Sequence, residues 1–117
     1  MDYKDLDAWK ESMKLVQLVY ELTQDFPNEE KFGLVSQLRR ASVSIPSNIA
    51  EGQSRNSNKD YKRFVEIALG SSLELETQLI IASRLKFIKS DHQVFEQTES
   101  VKKIIHGLIR FLKKNSK

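Results

Sequence analysis

Between Leu34 and Arg55 the apolar residues hold one helical phase straight through a proline. On a 100° wheel Leu34, Val35, Leu38, Ser42, Ile45 and Ile49 share a face, before and after Pro46. A proline that ended the helix would leave no reason for that phase to persist. The stretch therefore predicts a single helix, kinked where Pro46 has no N–H for the carbonyl of Ser42. That carbonyl then needs water or a serine hydroxyl.

The same wheel gathers Arg40, Ser44, Asn48, Glu51 and Arg55 into one polar ridge. Glu51 and Arg55 have the i, i+4 spacing of an intrahelical ion pair, with the acid on the favourable N-terminal side. Arg39 falls between the ridge and the apolar face. A merely solvated ridge is more often built from lysine and glutamate. Serine, asparagine, glutamate and arginine suit hydrogen-bonded contact with a neighbouring helix, another subunit or phosphate.

Helical periodicity continues on both sides. A first helix is expected over residues 6–25, with Trp9, Met13, Val16 and Tyr20 as its stripe and Leu15, Leu18, Val19 and Leu22 widening it. Pro27 stops it, and Asn28 is the expected cap of the next helix. Ser57 and Asp60 make a capping-box pattern that opens a third helix reaching about Lys86. Its main stripe is Phe64, Ala68, Ser71, Leu75, Leu79 and Ala82. A second stripe, Val65, Leu69, Leu73 and Ile80, lies about 140° away. A helix apolar on two sides needs two neighbours, and the second is expected to be another subunit.

Ser90 and Gln93 are expected to open a fourth helix. It turns Val94, Val101, Ile105, Leu108 and Leu112 inward and Lys102, Lys103, His106, Arg110, Lys113 and Lys114 outward. Nothing in the chain reads as a strand. The expectation is an all-α, up-down-up-down four-helix bundle forming a single domain over residues 1–117.

Composition narrows the function classes. A chain 39% hydrophobic and 30% charged suits a soluble helical protein. With no cysteine, disulfides and thiolate metal sites are excluded. The start shows no signal-peptide pattern, and no apolar run nears the roughly 20 residues of a membrane helix. A cytoplasmic location without membrane contact is expected. The net charge of +3 is unevenly spread: residues 1–30 hold eight acids and three bases, residues 100–117 six bases and no acid. Such asymmetry marks a polyanion-binding surface, two subunit surfaces that meet, or lysines that simply suit a helix end.

Catalytic machinery is hard to assemble from these residues. Neither His92 nor His106 has a glutamate three residues before it, as di-iron bundles require, and both are expected to be exposed. Glu74 and Glu76 point to different sides of their helix. Glu76 is expected to be a buried or intersubunit partner for an arginine. Gly33, Gly52, Gly70 and Gly107 are isolated, so no phosphate-cradling loop exists. Gly70 is expected to permit close helix packing. The expectation is no enzyme, no metal and no cofactor.

The run "FGLVSQLRRASVSIPSNIAEGQSRNSNKDYKRFVEIALGSSLELETQL", residues 32–79, resembles the bacterial four-helix-bundle proteins named after the 23S ribosomal RNA intervening sequence. The opening "YKDLDAWKESMKLVQLVYELTQDFPNEEKFGL" resembles the first helix of the same family. The resemblance implies a four-helix bundle assembled as a homopentameric ring. It extends in architecture to the accessory protein of diversity-generating retroelements, which works beside a reverse transcriptase and binds nucleic acid. The motif positions it carries here include Arg39, Arg40, Ser44, Pro46, Asn48, Glu51, Gly52, Arg55, Gly70, Ser71, Glu74, Glu76 and Gln78, read first as structural and assembly residues.

Two readings of function fit these residues. In the first the protein binds structured RNA, associated with ribosomal RNA, as a non-catalytic homo-oligomer. Arg39, Arg40, Arg55, Lys59, Lys62 and Arg63 near the kink and Lys103, Arg110 and Lys114 on the fourth helix would meet phosphates, each patch repeated around a ring. Tyr61 is the aromatic expected beside the kink cluster. In the second it is a scaffold or accessory subunit for a polymerase- or ribosome-associated protein.

Overall fold

The computed structural model describes residues 2–116 as four helices: α1 (Asp7–Thr23), α2 (Leu34–Gln53), α3 (Asn58–Arg84) and α4 (Gln93–Lys114). Short 3-10 turns at Tyr3–Asp5 and Asn28–Glu30 precede α1 and α2, and no strand occurs among the described residues. Among the described residues no helix is long and apolar enough to cross a membrane.

Helix starts follow local hydrogen-bond chemistry. Ser57 caps α3 as its spacing predicts, its Oγ accepting from the Asp60 amide at 3.1 Å. The other two expected caps lie elsewhere. Asn28 only opens the 3-10 turn, and the Leu34 amide at the start of α2 donates instead to Glu30 Oε1 at 3.2 Å. Ser90 still lies in a turn. His92 has the extended backbone that lets its ring face the helix start, so its Nδ1 accepts from the Val94 amide at 3.0 Å.

Successive helices run antiparallel. Arg39, early in α2, meets Thr23 at the end of α1, and Asn58 at the start of α3 donates to the carbonyl of Asn115 just beyond α4. Each helix lies close against two others, whereas no Cα of α1 comes within 8 Å of one in α3, nor any of α2 within 8 Å of one in α4. They form a four-cornered bundle with α1 and α3 on one diagonal. The α1–α4 seam is closed by Gln97, which donates to the Glu11 carbonyl at 2.8 Å.

The core is aliphatic. Leu15, Leu38, Ile45, Ile49, Leu75, Leu79, Ile105 and Leu112 lose all or nearly all solvent contact, each worth about 1.5–3 kcal/mol of transfer free energy. On α2 every residue of the expected apolar face is buried. On α1 the register differs: Ala8, Ser12, Leu15, Val19 and Leu22 point inward, while Met13 and Tyr20 are 42% and 40% exposed. Two apolar arcs lie side by side there, and the one that meets α2 and α4 together becomes the core. On α3, Val65 of the second stripe is buried and Leu69 packs against the core, whereas Leu73 and Ile80 stay exposed.

Pro46 sits buried inside an unbroken α2. Around it Ser47 Oγ donates to the Val43 carbonyl and Asn48 Nδ2 to the Ser44 carbonyl, each at 2.8 Å. These are the carbonyls next along from that of Ser42, so the braces grip the turn beside the proline rather than the group it leaves without a donor. Further along, Gly52 marks a close approach of α2 to α3. A Cβ there would lie 2.8 Å from Phe64 Cβ and 3.1 Å from the Tyr61 carbonyl. Gly70, the glycine expected to serve close packing, is exposed, and a Cβ there would meet nothing.

Candidate nucleic-acid interface

The polar ridge of α2 divides between the bundle interior and its lower end. Ser44 Oγ lies 2.8 Å from Ser71 Oγ, and Asn48 Nδ2 donates to Ser44 Oγ at 3.0 Å, forming a small network between α2 and α3. Glu51 and Arg55 pair at 2.7 Å on the exposed surface, as their spacing predicts. Arg40 lies on the surface in a polar cleft with Phe32, Ser36, Ser44 and Glu74, and no side chain among the described residues pairs with it.

The basic residues expected near Pro46 are mostly engaged. Arg39 Nε donates to Thr23 Oγ1 at 2.9 Å, and its guanidinium lies 4.5 Å from the Tyr20 ring centroid, so it braces α2 against α1. Arg63 binds Asp60 at 3.0 Å, and Lys62 binds Glu66 at 3.3 Å. Arg55 and Arg63 both stack on Phe64, 4.5 and 4.7 Å from its centroid. Phe64 is thus the aromatic of this cluster. Its place on the apolar stripe hid that role in the sequence, because a half-buried ring can serve core and surface together. Tyr61 packs inward, and burial of its hydroxyl pushes its pKa above the ordinary phenol value. Lys59 is exposed and without an acidic partner among the described residues.

The fourth helix is different. Val94, Thr98, Val101, Ile105 and Leu112 take the core face, and Lys103, His106, Arg110, Lys113 and Lys114 are exposed on the opposite side. No acid follows Glu99 in the sequence. Among the described residues Lys103, Arg110, Lys113 and Lys114 make no ion pair. At 1.5 Å per residue the strip from Lys103 to Lys114 is about 16 Å long.

Lys102 leaves this basic face. Its ammonium binds Glu76 of α3 at 3.0 Å and Glu99 at 3.3 Å, with 16% of its side chain exposed. The partner expected for Glu76 was an arginine; it is this lysine of the same chain. The Glu76 carboxylate holds the Lys102 pKa above the ordinary lysine value. Glu74 points away into the Arg40 cleft.

Lys113 and Ser116 also line a depression whose other residues are Ser57, the bases Lys59, Lys62 and Arg63, and the acids Asp60 and Glu66. The α3 start and the α4 end, remote in sequence, thus share one end of the bundle. Among the described residues no group of three or more His, Cys, Asp or Glu side chains is placed to hold a metal ion.

The family model of the 23S rRNA-intervening sequence protein matches residues 4–107. The chain belongs to that family. A solved structure from Bacteroides thetaiotaomicron, described as a protein of unknown function from the S23 ribosomal protein family, is 26% identical. The match covers 90% of this chain and 94% of that one, with a TM-score of 0.66. Among curated proteins no relative matches.

Proposed function

We propose that this family member is a non-catalytic protein of the cytoplasm that binds structured RNA, associated with ribosomal RNA, as a homo-oligomeric ring. One observation carries the reading: the α4 strip of Lys103, Arg110, Lys113 and Lys114, turned away from the core and unneutralised by any acid among the described residues. Phosphate is the partner such a strip suits best, since unpaired cations gain most by releasing counterions from a polyanion. Contact of this kind reads backbone and shape, as proteins do along double-stranded RNA. Repetition around a ring would multiply a modest patch into a strong site. A bend of α2 at Pro46 belongs to the same proposal.

The test is an anisotropy titration of a labelled ribosomal RNA stem-loop at two salt concentrations, with duplex DNA as competitor. RNA-preferring binding that weakens with salt is expected. Replacing Lys103 and Arg110 together by alanine should lower the salt slope by about 1.4–1.8 for each copy that contacts the RNA and leave the oligomer mass unchanged. No binding at low salt, or an unaltered slope in the double variant, overturns the RNA reading and favours a protein partner.

A further inference from the structure

Most aromatic rings of the chain already have a partner. Tyr3 meets Trp9 edge-on, Phe26 lies against Phe87, and Arg55 and Arg63 cover Phe64. Among the described residues the exposed aromatics are Tyr20, Phe32 and Phe111. Arg39 stands over the Tyr20 ring and Lys31 over that of Phe32. Phe111 is 59% exposed, and neither a cation nor another ring of the described residues lies over it. The core does not need this ring, since Leu108 and Leu112 face inward along the same turns of α4.

Phe111 stands on the flank of the basic strip. At about 100° per residue Lys103, Gly107 and Phe111 step round the helix by about 40° each, with Lys114 between the first two and Arg110 just beyond Lys103. Cations and ring thus share about 12 Å of helix. Gly107 lies between them. A Cβ there would meet only Arg110 Nη2, at 3.7 Å, an ordinary contact, so packing within the chain does not call for glycine. Glycine inside a helix is less stable than alanine, and it suits a place where a ligand comes close to the backbone. Bare helix surface here has phosphate-binding groups on one side and a free aromatic face on the other.

We infer that this surface takes an unpaired nucleotide of the RNA, with the neighbouring phosphates on Lys103, Arg110 and Lys114 and the base stacked on Phe111. Proteins that bind unpaired nucleic acid combine these same two features, a basic track and a stacking ring. A regular duplex keeps its bases inside the stack and offers Phe111 nothing to stack on. A bulged nucleotide brings both parts at once: its flanking phosphates stay on the strip while the base swings across Gly107 onto the ring. Every base has a π-face, so the contact reads the irregularity in the RNA helix rather than its sequence. The inference rests on the RNA reading above and names the feature of the RNA that the strip selects.

The experiment is an anisotropy titration of the full chain against two labelled RNA duplexes, one fully paired and one with a single bulged adenosine. The wild type is expected to bind the bulged duplex more tightly. Phe111→Leu keeps an apolar side chain without a ring; it should lose about 5- to 150-fold in affinity for the bulged duplex and almost none for the paired one. Its salt slope should match that of the wild type, since no phosphate contact is removed. Phe111→Tyr keeps the ring and should bind as the wild type does. The position is exposed, so far-UV circular dichroism should show helicity unchanged in both variants. Equal affinity of the wild type for the two duplexes, or a preference that survives Phe111→Leu, overturns the inference and leaves the RNA reading standing. Binding of neither duplex at low salt overturns both. Gly107→Leu fills the space between strip and ring and should weaken binding of the bulged duplex; unchanged affinity there refutes the close approach.

Discussion

Adding one methyl group at Gly52 tests a close approach of α2 to α3. An alanine Cβ would stand 2.8 Å from Phe64 Cβ and 3.1 Å from the Tyr61 carbonyl. Carbon atoms in favourable contact lie about 3.5–4.0 Å apart, so α2 and α3 must part by roughly 0.7 Å. Neither neighbour can swing aside: one is a Cβ, the other a backbone atom. Overpacking of this kind costs about 1–3 kcal/mol, and alanine's better helix propensity returns at most about 1 kcal/mol. Gly52→Ala should therefore destabilise by about 1–2 kcal/mol, a fall in Tm of about 4–8 °C for a chain of this size. Urea denaturation at fixed protein concentration should show a lower midpoint and an unchanged slope. Gly70→Ala is the control. With nothing within 4 Å of its Cβ, it should stabilise by about 0.5–1 kcal/mol. If Gly52→Ala matched or exceeded the wild type in stability, the close crossing would be refuted.

Arg39→Lys keeps the charge but loses the planar group that both bonds Thr23 and stacks on Tyr20. It should cost about 1–2 kcal/mol in urea unfolding while RNA affinity stays constant; lost affinity at full stability would make Arg39 a phosphate contact. Glu51→Ala removes an exposed pair whose arginine still stacks on Phe64, so the loss should be only about 0.3–0.5 kcal/mol, and a fall in oligomer mass would contradict this. At alkaline pH, Lys102 and Tyr61 act with the same sign. Both pKa values are raised in the fold, so their stabilisation is complete below the ordinary lysine and phenol values and fades as pH rises through the folded ones. Urea midpoints should fall on that limb, and Lys102→Met and Tyr61→Phe should each flatten the fall.

Helix number, order and joints were legible because a 3.6-residue period runs through nearly the whole chain. The α2 core was read residue by residue, since only one of its faces is apolar. On α1 and α3 two apolar arcs compete, and a wheel cannot say which faces inward. Trp9, Met13 and Tyr20 draw the eye by size, yet the smaller Leu15 and Val19 line the core. Caps misled for a related reason. Asn28 and Ser90 are good capping residues, but the side chains that accept from the first helical amides are those of Glu30 and His92, two residues later. In the candidate site the sequence displayed every cation and none of the pairings across helices. The Lys102–Glu76 contact, 26 residues apart, was invisible, as was the bracing of α1 by Arg39.

The cyclic pattern of helix neighbours also governs how the chain reaches its fold. Three of the four packed pairs join helices consecutive in sequence, so their contacts form without closing a long loop. The α1–α4 seam alone must bring together residues such as Glu11 and Gln97, 86 positions apart. Its closure carries the largest loop entropy of any contact in the bundle. Contact order is therefore low for most of the molecule and high along a single edge. Amide exchange should be slowest between α2 and α3 and fastest along that edge, making the outer flank of α4, where the basic strip lies, the part of the bundle that opens first.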